Sequence, residues 1–269
     1  LFRGLIYIAF KATGTGSLAI TTSSDGVNFS SPASVYTSIP IESKPALAVF
    51  NNTLYVAYLA PAGTLQMTYT SDGTNFATPY TLGSAGSGPF NSFLGPALAV
   101  FNNEMVLGYI DQYTGYADFA ASTDGRTFSG PATISSQTTA SAPSLAVYNG
   151  VLYSAIQSTT NHQLVIDSST NGQVFSNETS YPGITMGSAP AISGSNYGLV
   201  VAFMSNDSYH ILFTTSGPSG SQLASPASEY SGIRMGSAPG LSTGFDASVL
   251  YLAFQSNDSY HWLFVTKTE

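Results

Sequence analysis

The chain contains no cysteine, so neither a disulfide frame nor thiol chemistry is open to it. Cations are almost as scarce: six Lys and Arg stand against 14 Asp and Glu, for a net charge of −8 in 269 residues. Nucleic acid is thereby excluded as a partner, because meeting phosphates needs clustered positive charge. No apolar run approaches the roughly 18 residues of a membrane-spanning helix. No stretch holds a 3.6-residue apolar period, and Pro and Gly recur too evenly for long helices. Phosphate-binding glycine loops and G-x-S-x-G elbows are missing as well. Only 7% of residues are charged. Ser, Thr, Asn, Gly and Tyr fill the space, and 17 Tyr with 16 Phe provide core material that disordered chains lack. This acidic, Lys-poor composition is expected of a secreted or cell-surface protein. The start at Leu1 rather than Met is expected of a processed one.

What the sequence does have is a repeat. "KPALAVF", "GPALAVF", "APSLAVY", "APAISGS" and "APGLSTG" align on Pro45, Pro96, Pro143, Pro190 and Pro239, at steps of 51, 47, 47 and 49 residues. A period of about 48 residues falls in the range of propeller blades. Within each period four short runs, alternating or rich in β-branched and aromatic residues, are separated by turns such as "NNT", "NNE" and "NG". The expectation is all-β: a single six-bladed β-propeller with four-stranded antiparallel blades at about 1–42, 43–91, 92–139, 140–186, 187–235 and 236–269. "LFRGLIYIAF" aligns with "VFNNTLYVAY", and "HWLFVTKTE" with "HILFTTSG", so the first and last blades are expected to hold three strands each.

The turn between third and fourth strands reads "SSDGVNF", "TSDGTNF", "STDGRTF" and "STNGQVF", centred on Asp25, Asp72, Asp124 and Asn171. Asp or Asn caps its own turn, Gly supplies a positive φ, and the Phe three residues later packs the turn down. A fifth copy, "SGPSGSQ", is degenerate. This motif resembles the Asp-box, or bacterial neuraminidase repeat, of the sialidase superfamily. The resemblance implies a propeller whose boxes lie on the face away from the active site. It also implies that a sialidase would need three arginines around a substrate carboxylate. The chain has only Arg3, Arg126 and Arg234, and the first two fall in turns expected on the box face. A sialidase is therefore not expected, and no catalytic residue is assigned. Glu42, Asp111, Asp207 and Asp258 are expected on the opposite face, where a carboxylate pair would make a different glycoside hydrolase. His162, His210 and His261 are separated by a blade each and are not expected to share a metal ion. No metal or cofactor is expected.

The string "SNDSYH" occurs twice, at 205–210 and 256–261, each behind "MGSAP", at 186–190 and 235–239. Either the repeat records duplication and turn chemistry, or it builds one binding site twice. Loop identity beyond what a turn requires favours the second. Tyr209, Tyr260 and Trp262 offer flat faces for a sugar ring, Trp262 having an equal claim to a core role. Asn206, Asp207, His210, Asn257, Asp258 and His261 offer directional hydrogen bonds, and Arg234 and Met235 lie in the adjoining loop. These residues make up the expected site, in loops 205–210, 230–236 and 256–262, with 181–187 as a further element. The expected function is non-enzymatic glycan binding, with a loop-carboxylate hydrolase and a protein-binding scaffold as the alternatives.

Overall fold

The computed structural model describes residues 1–31, 33–84, 88–134, 138–225, 227–244 and 248–267. Among them there is no helix, and every paired strand is antiparallel. No helix is long and apolar enough to cross a membrane among the described residues. The chain forms two compact units, Leu1–Ile134 and Ser135–Glu269.

The first unit holds a three-stranded sheet of β1 (Ile6–Lys11), β2 (Ser17–Ser23) and β3 (Ser34–Pro40). A four-stranded sheet follows: β4 (Ala46–Phe50), β5 (Thr53–Leu59), β6 (Leu65–Thr70) and β7 (Tyr80–Thr81). After a short ribbon of β8 (Gly83–Ser84) and β9 (Gly88–Pro89) comes a second four-stranded sheet. It consists of β10 (Ala97–Phe101), β11 (Glu104–Ile110), β12 (Ala117–Ser122) and β13 (Ala132–Ile134). The second unit has two four-stranded sheets and one of three. They are β14 (Ser144–Tyr148), β15 (Val151–Gln157), β16 (Gln163–Ser169) and β17 (Ser176–Thr185); β18 (Ala191–Ser195), β19 (Gly198–Met204), β20 (Ile211–Gly217) and β21 (Ser228–Arg234); and β22 (Gly240–Thr243), β23 (Leu250–Gln255) and β24 (Leu263–Lys267). Within each sheet, strands adjacent in sequence are adjacent in space.

The hairpins follow from their turn residues. Asn51-Asn52 and Asn102-Asn103 take φ of 47° and 56°, and 50° and 61°, and Asn149 takes 47°. Two consecutive left-handed residues give the turn whose twist matches the flanking strands, and Asn tolerates that region better than most side chains. Sheets then stack face to face. Leu54 to Leu59 of β5 are all buried because both faces of that strand are covered. Val56 and Tyr58 join Leu18 and Ile20 of the preceding sheet. Tyr55, Ala57 and Leu59 join Leu98, Leu107 and Tyr109 of the following one. In the second unit Tyr153, Ala155, Leu164 and Ile166 meet Ile192, Leu199, Val201 and Phe203.

The four aligned turns share one geometry. Asp25 Oδ1 accepts the Ser23 hydroxyl at 2.9 Å and the N–H groups of Val27 and Asn28 at 2.8 and 2.7 Å. Asp72, Asp124 and the amide oxygen of Asn171 do the same in their own turns. Donation by backbone N–H groups holds the carboxyls of Asp25 and Asp72 far below the usual carboxylate range, and Asp124 at about 2. The Asp72 and Asp124 turns, and the degenerate fifth one, also dock on the sheet before them. The Tyr80 hydroxyl donates to the Gly125 carbonyl at 2.6 Å, and Gly125 lies so close that a Cβ would stand 2.8 Å from the Tyr55 ring. Tyr36 donates to Thr74 at 3.1 Å and Tyr181 to Gly220 at 2.6 Å in the equivalent places. The motif therefore staples one sheet to the next.

Candidate functional site

The two SNDSYH loops connect β19 to β20 and β23 to β24, at the ends of those strands away from the stapling turns. Ser205 donates its hydroxyl to Asp207 Oδ1 at 2.7 Å, and the N–H groups of Tyr209 and His210 donate to the same oxygen at 2.9 and 3.1 Å. Ser256, Tyr260 and His261 surround Asp258 identically, each at 2.9 Å. This is the Ser-x-Asp turn of the stapling motif, built again at the other end of the strands. Ser and Asp in the hexapeptide are thus accounted for by folding. The Ser205 hydroxyl, with the N–H donors of Tyr209 and His210, holds Asp207 below its ordinary value. Desolvation raises Asp258, but the same three donors outweigh it and leave this carboxyl lowered too. Both are committed anions, unsuited to donate a proton to a leaving group.

The adjoining loop joins the copies. Met235 N–H donates to the His210 carbonyl at 2.8 Å, Gly236 N–H to Gln255 at 2.7 Å, and Asn257 N–H to Arg234 at 3.4 Å. A Cβ on Gly236 would stand 2.5 Å from the Ser256 carbonyl, and Gly187 makes the same approach to Ser205, so both glycines of the MGS repeat are packing requirements. Met235, expected in the site, is 0% exposed and packs with Ala202, Leu212, Leu252 and Phe254; Met186 is buried likewise. The fourth strand bulges just before this loop. Leu212 pairs with Tyr230 and Ile211 with Arg234, so 231–233 leave the ladder and Arg234 is set beside the first hexapeptide.

Two pairs of side chains not engaged in the turn form at this junction. The Arg234 guanidinium lies over the Tyr209 ring at 5.6 Å. The Asn257 amide nitrogen is 3.3 Å from His210 Nδ1. With the amide donating, the imidazole carries its proton on Nε2, which is left for a ligand. Tyr209 is 55% exposed and Tyr260 75%, and Asn206 is exposed too. Trp262 is 61% exposed, 6.2 Å from the Tyr260 ring, so its core role gives way to a surface one.

His210 and His261 both have φ of 53°, and His162 has 56°. The matching residues of the first unit are Gly16, Gly63 and Gly115, with φ of 66°, 78° and 74°. The backbone here asks for glycine, and the second unit supplies histidine three times. Sequence reasoning placed Tyr and His at a strand start and missed this, although aligning the three glycines with the three histidines would have revealed it.

The other expected carboxylates are engaged. Glu42 pairs with Lys11 at 3.1 Å, and Asp111 accepts the N–H groups of Tyr113 and Thr114 at 3.0 and 2.8 Å. Arg3 lies over Phe2, and Arg126 over Tyr69 and Tyr80. No group of three His, Cys, Asp or Glu able to hold a metal ion exists among the described residues. A carboxyl raised into the proton-transfer range is one that sequence reasoning passed over. Asp167, 2% exposed in β16, is pushed to about 7 by burial and by the Glu178 carboxylate.

No model of a known protein family matches the chain, and no curated protein sequence does. Solved structures do resemble it. A protein of unknown function from Dyadobacter fermentans superposes with a TM-score of 0.71 at 13% identity, over 98% of this chain and 90% of that one. The Hadza microbial sialidase Hz136 gives 0.68 at 13%, over 94% of this chain, which spans 59% of that protein's length. An α-L-arabinofuranosidase from Clostridium thermocellum gives 0.59 at 12%, over 86% and 92%. At such identities the likeness concerns architecture, and the architecture is that of a sialidase-like β-propeller.

Proposed function

We propose that the chain is a six-bladed, extracellular, non-enzymatic glycan-binding propeller whose boxes are Asp-boxes. Its site is the junction of the two SNDSYH loops. Tyr209, Tyr260 and Trp262 would stack on sugar rings, while His210, Arg234, Asn257 and, in the second copy, His261 supply directional hydrogen bonds. The observation that carries this reading is the histidine at a glycine position. A non-glycine residue held at positive φ costs stability, and its repetition on one end of one unit marks a side chain kept for something other than folding. The carbohydrate-active enzymes among the structural neighbours support a sugar ligand. Asp207 and Asp258, tied into their own turns, favour binding over hydrolysis.

A broad glycan array probed with the wild-type protein and a Tyr209→Ala/Tyr260→Ala variant tests the reading. Binding to a defined terminal sugar that the variant loses supports it. Binding that survives in the variant places the site elsewhere, and silence across the array favours a protein-binding scaffold.

A further inference from the structure

A cavity of about 440 Å³ opens in the second unit, between the β16–β17 edge and the β20–β21 turn. It lies at the end of β20 opposite the SNDSYH loops. That turn is the degenerate fifth copy of the stapling motif. Gly220, whose carbonyl accepts the Tyr181 hydroxyl, holds the place of Gly125, so Ser219 stands where the other turns carry Asp25, Asp72, Asp124 or Asn171 and brings no carboxylate or amide of its own to tie the turn down. Small side chains there leave open volume, of the size that small-molecule sites occupy.

Several hydroxyl and amide groups around it make only long contacts. The Ser168 hydroxyl reaches the Ser176 carbonyl only at 3.4 Å, Thr179 reaches the Asn177 carbonyl at 3.4 Å, and Asn177 Nδ2 is 3.3 Å from Ser176 Oγ. Ser219 and Ser221 share a contact of 3.2 Å. In the intact stapling turns the side-chain contacts of Asp25 run from 2.7 to 2.9 Å and those of Asn171 from 2.8 to 3.1 Å. Bonds at the long limit contribute little to the fold and are readily exchanged for a better partner. The Tyr153 ring and Ile166 add an apolar wall. No Lys or Arg lines the cavity, and Asp167 and Glu178 border it, which disfavours anions.

We infer that this cavity is a second ligand site, taking one neutral monosaccharide unit. Hydroxyls that both donate and accept match a sugar's own, an amide adds direction, and the Tyr153 ring covers an apolar ring face. The inference stands apart from the loop site, since none of its residues is shared.

Amide chemical-shift titrations with glucose, galactose, arabinose, glucuronate and glycerol test it, on the wild type, Ser221→Trp, Ser168→Leu and Tyr209→Ala/Tyr260→Ala. The expected result is saturable shifts at Ser168, Asn177 and Ser221 with at least one neutral sugar, in the millimolar range. They should be unchanged in the tyrosine variant and at least about tenfold weaker in whichever filled variant keeps the wild-type circular dichroism and melting. No shifts, equal shifts with glycerol, tighter binding of glucuronate, or full binding by a folded filled variant would each overturn it.

Discussion

Replacing Asp167 by Thr is expected to stabilise the protein, by an amount that grows with pH. Four residues before the central residue of the turn, three of the copies carry a threonine (Thr21, Thr68 and Thr215; the third copy has Ala120), whose hydroxyls donate to Ser30, Ala77 and Ala224 at 2.8, 2.6 and 2.6 Å. Asp167 holds the same position, where an ionised carboxylate cannot donate. Its Oδ2 is buried without a hydrogen-bond partner, as is Ser154 Oγ on the residue paired with it across the ladder. Burial, with the Glu178 carboxylate facing it, raises this group from 3.8 to about 7. The folded state therefore binds the proton more tightly than the unfolded one. The stability from this group is fully present below pH 4 and falls as pH rises to 7. Three pH units at about 1.4 kcal/mol each make roughly 4 kcal/mol, an upper value because the carboxyl borders a water-sized space. Threonine removes that loss and restores a bond worth about 1 kcal/mol. Urea unfolding of both proteins at half-unit steps from pH 4 to 8.5, followed by circular dichroism, measures the gap. It should open between pH 4 and 7 and level off above 8. A gap that does not change with pH, or a destabilised variant, would refute the reasoning.

Other outcomes follow from the same contacts. Gly125→Ala should cost about 1–2 kcal/mol from the left-handed backbone alone, with the clash against Tyr55 in addition, and should lower the melting temperature sharply. Tyr80→Phe should cost about 1–3 kcal/mol in chemical denaturation, because it leaves the Gly125 carbonyl without its hydroxyl donor. Asp124 is depressed to about 2, so the stability it contributes is present above pH 4 and lost as pH falls toward 2. The melting deficit of Asp124→Ala should be largest at pH 6 and shrink progressively as pH falls from 4 through 2. Gly236→Ala should disturb the junction through the Ser256 carbonyl, seen as lost amide protection at Met235 and Asn257.

Much of the architecture was open to inspection in the sequence, because it rests on local chemistry. Asn-Asn and Asn-Gly pairs have few conformations available, and the Ser-x-Asp-Gly turn is closed by residues within five positions of each other. What connects sheets was harder to see. Tyr80 and Tyr181 look like ordinary strand aromatics, and their hydroxyl partners lie 45 and 39 residues away. The candidate site shows the same divide. Arg234 lies over Tyr209 and Asn257 reaches His210, contacts between loops far apart in sequence. Met235 was misjudged because repetition of a string marks packing as readily as binding: it is a core plug, and the glycine after it is a close approach to backbone. Trp262 was ambiguous because position alone does not say which face of an edge a residue takes. Asp167 was overlooked because a lone acid in an apolar strand reads as noise until it is set beside the threonines of the other repeats.

The most direct measurement pairs stability with binding in a His210→Gly/His261→Gly variant. Both residues occupy backbone positions that glycine adopts freely, so the fold has no need of their side chains. The expected result is a melting temperature equal to or above that of the wild type, together with loss of glycan binding. A variant that binds as the wild type does, or that melts well below it, would contradict the assignment of these histidines to the site.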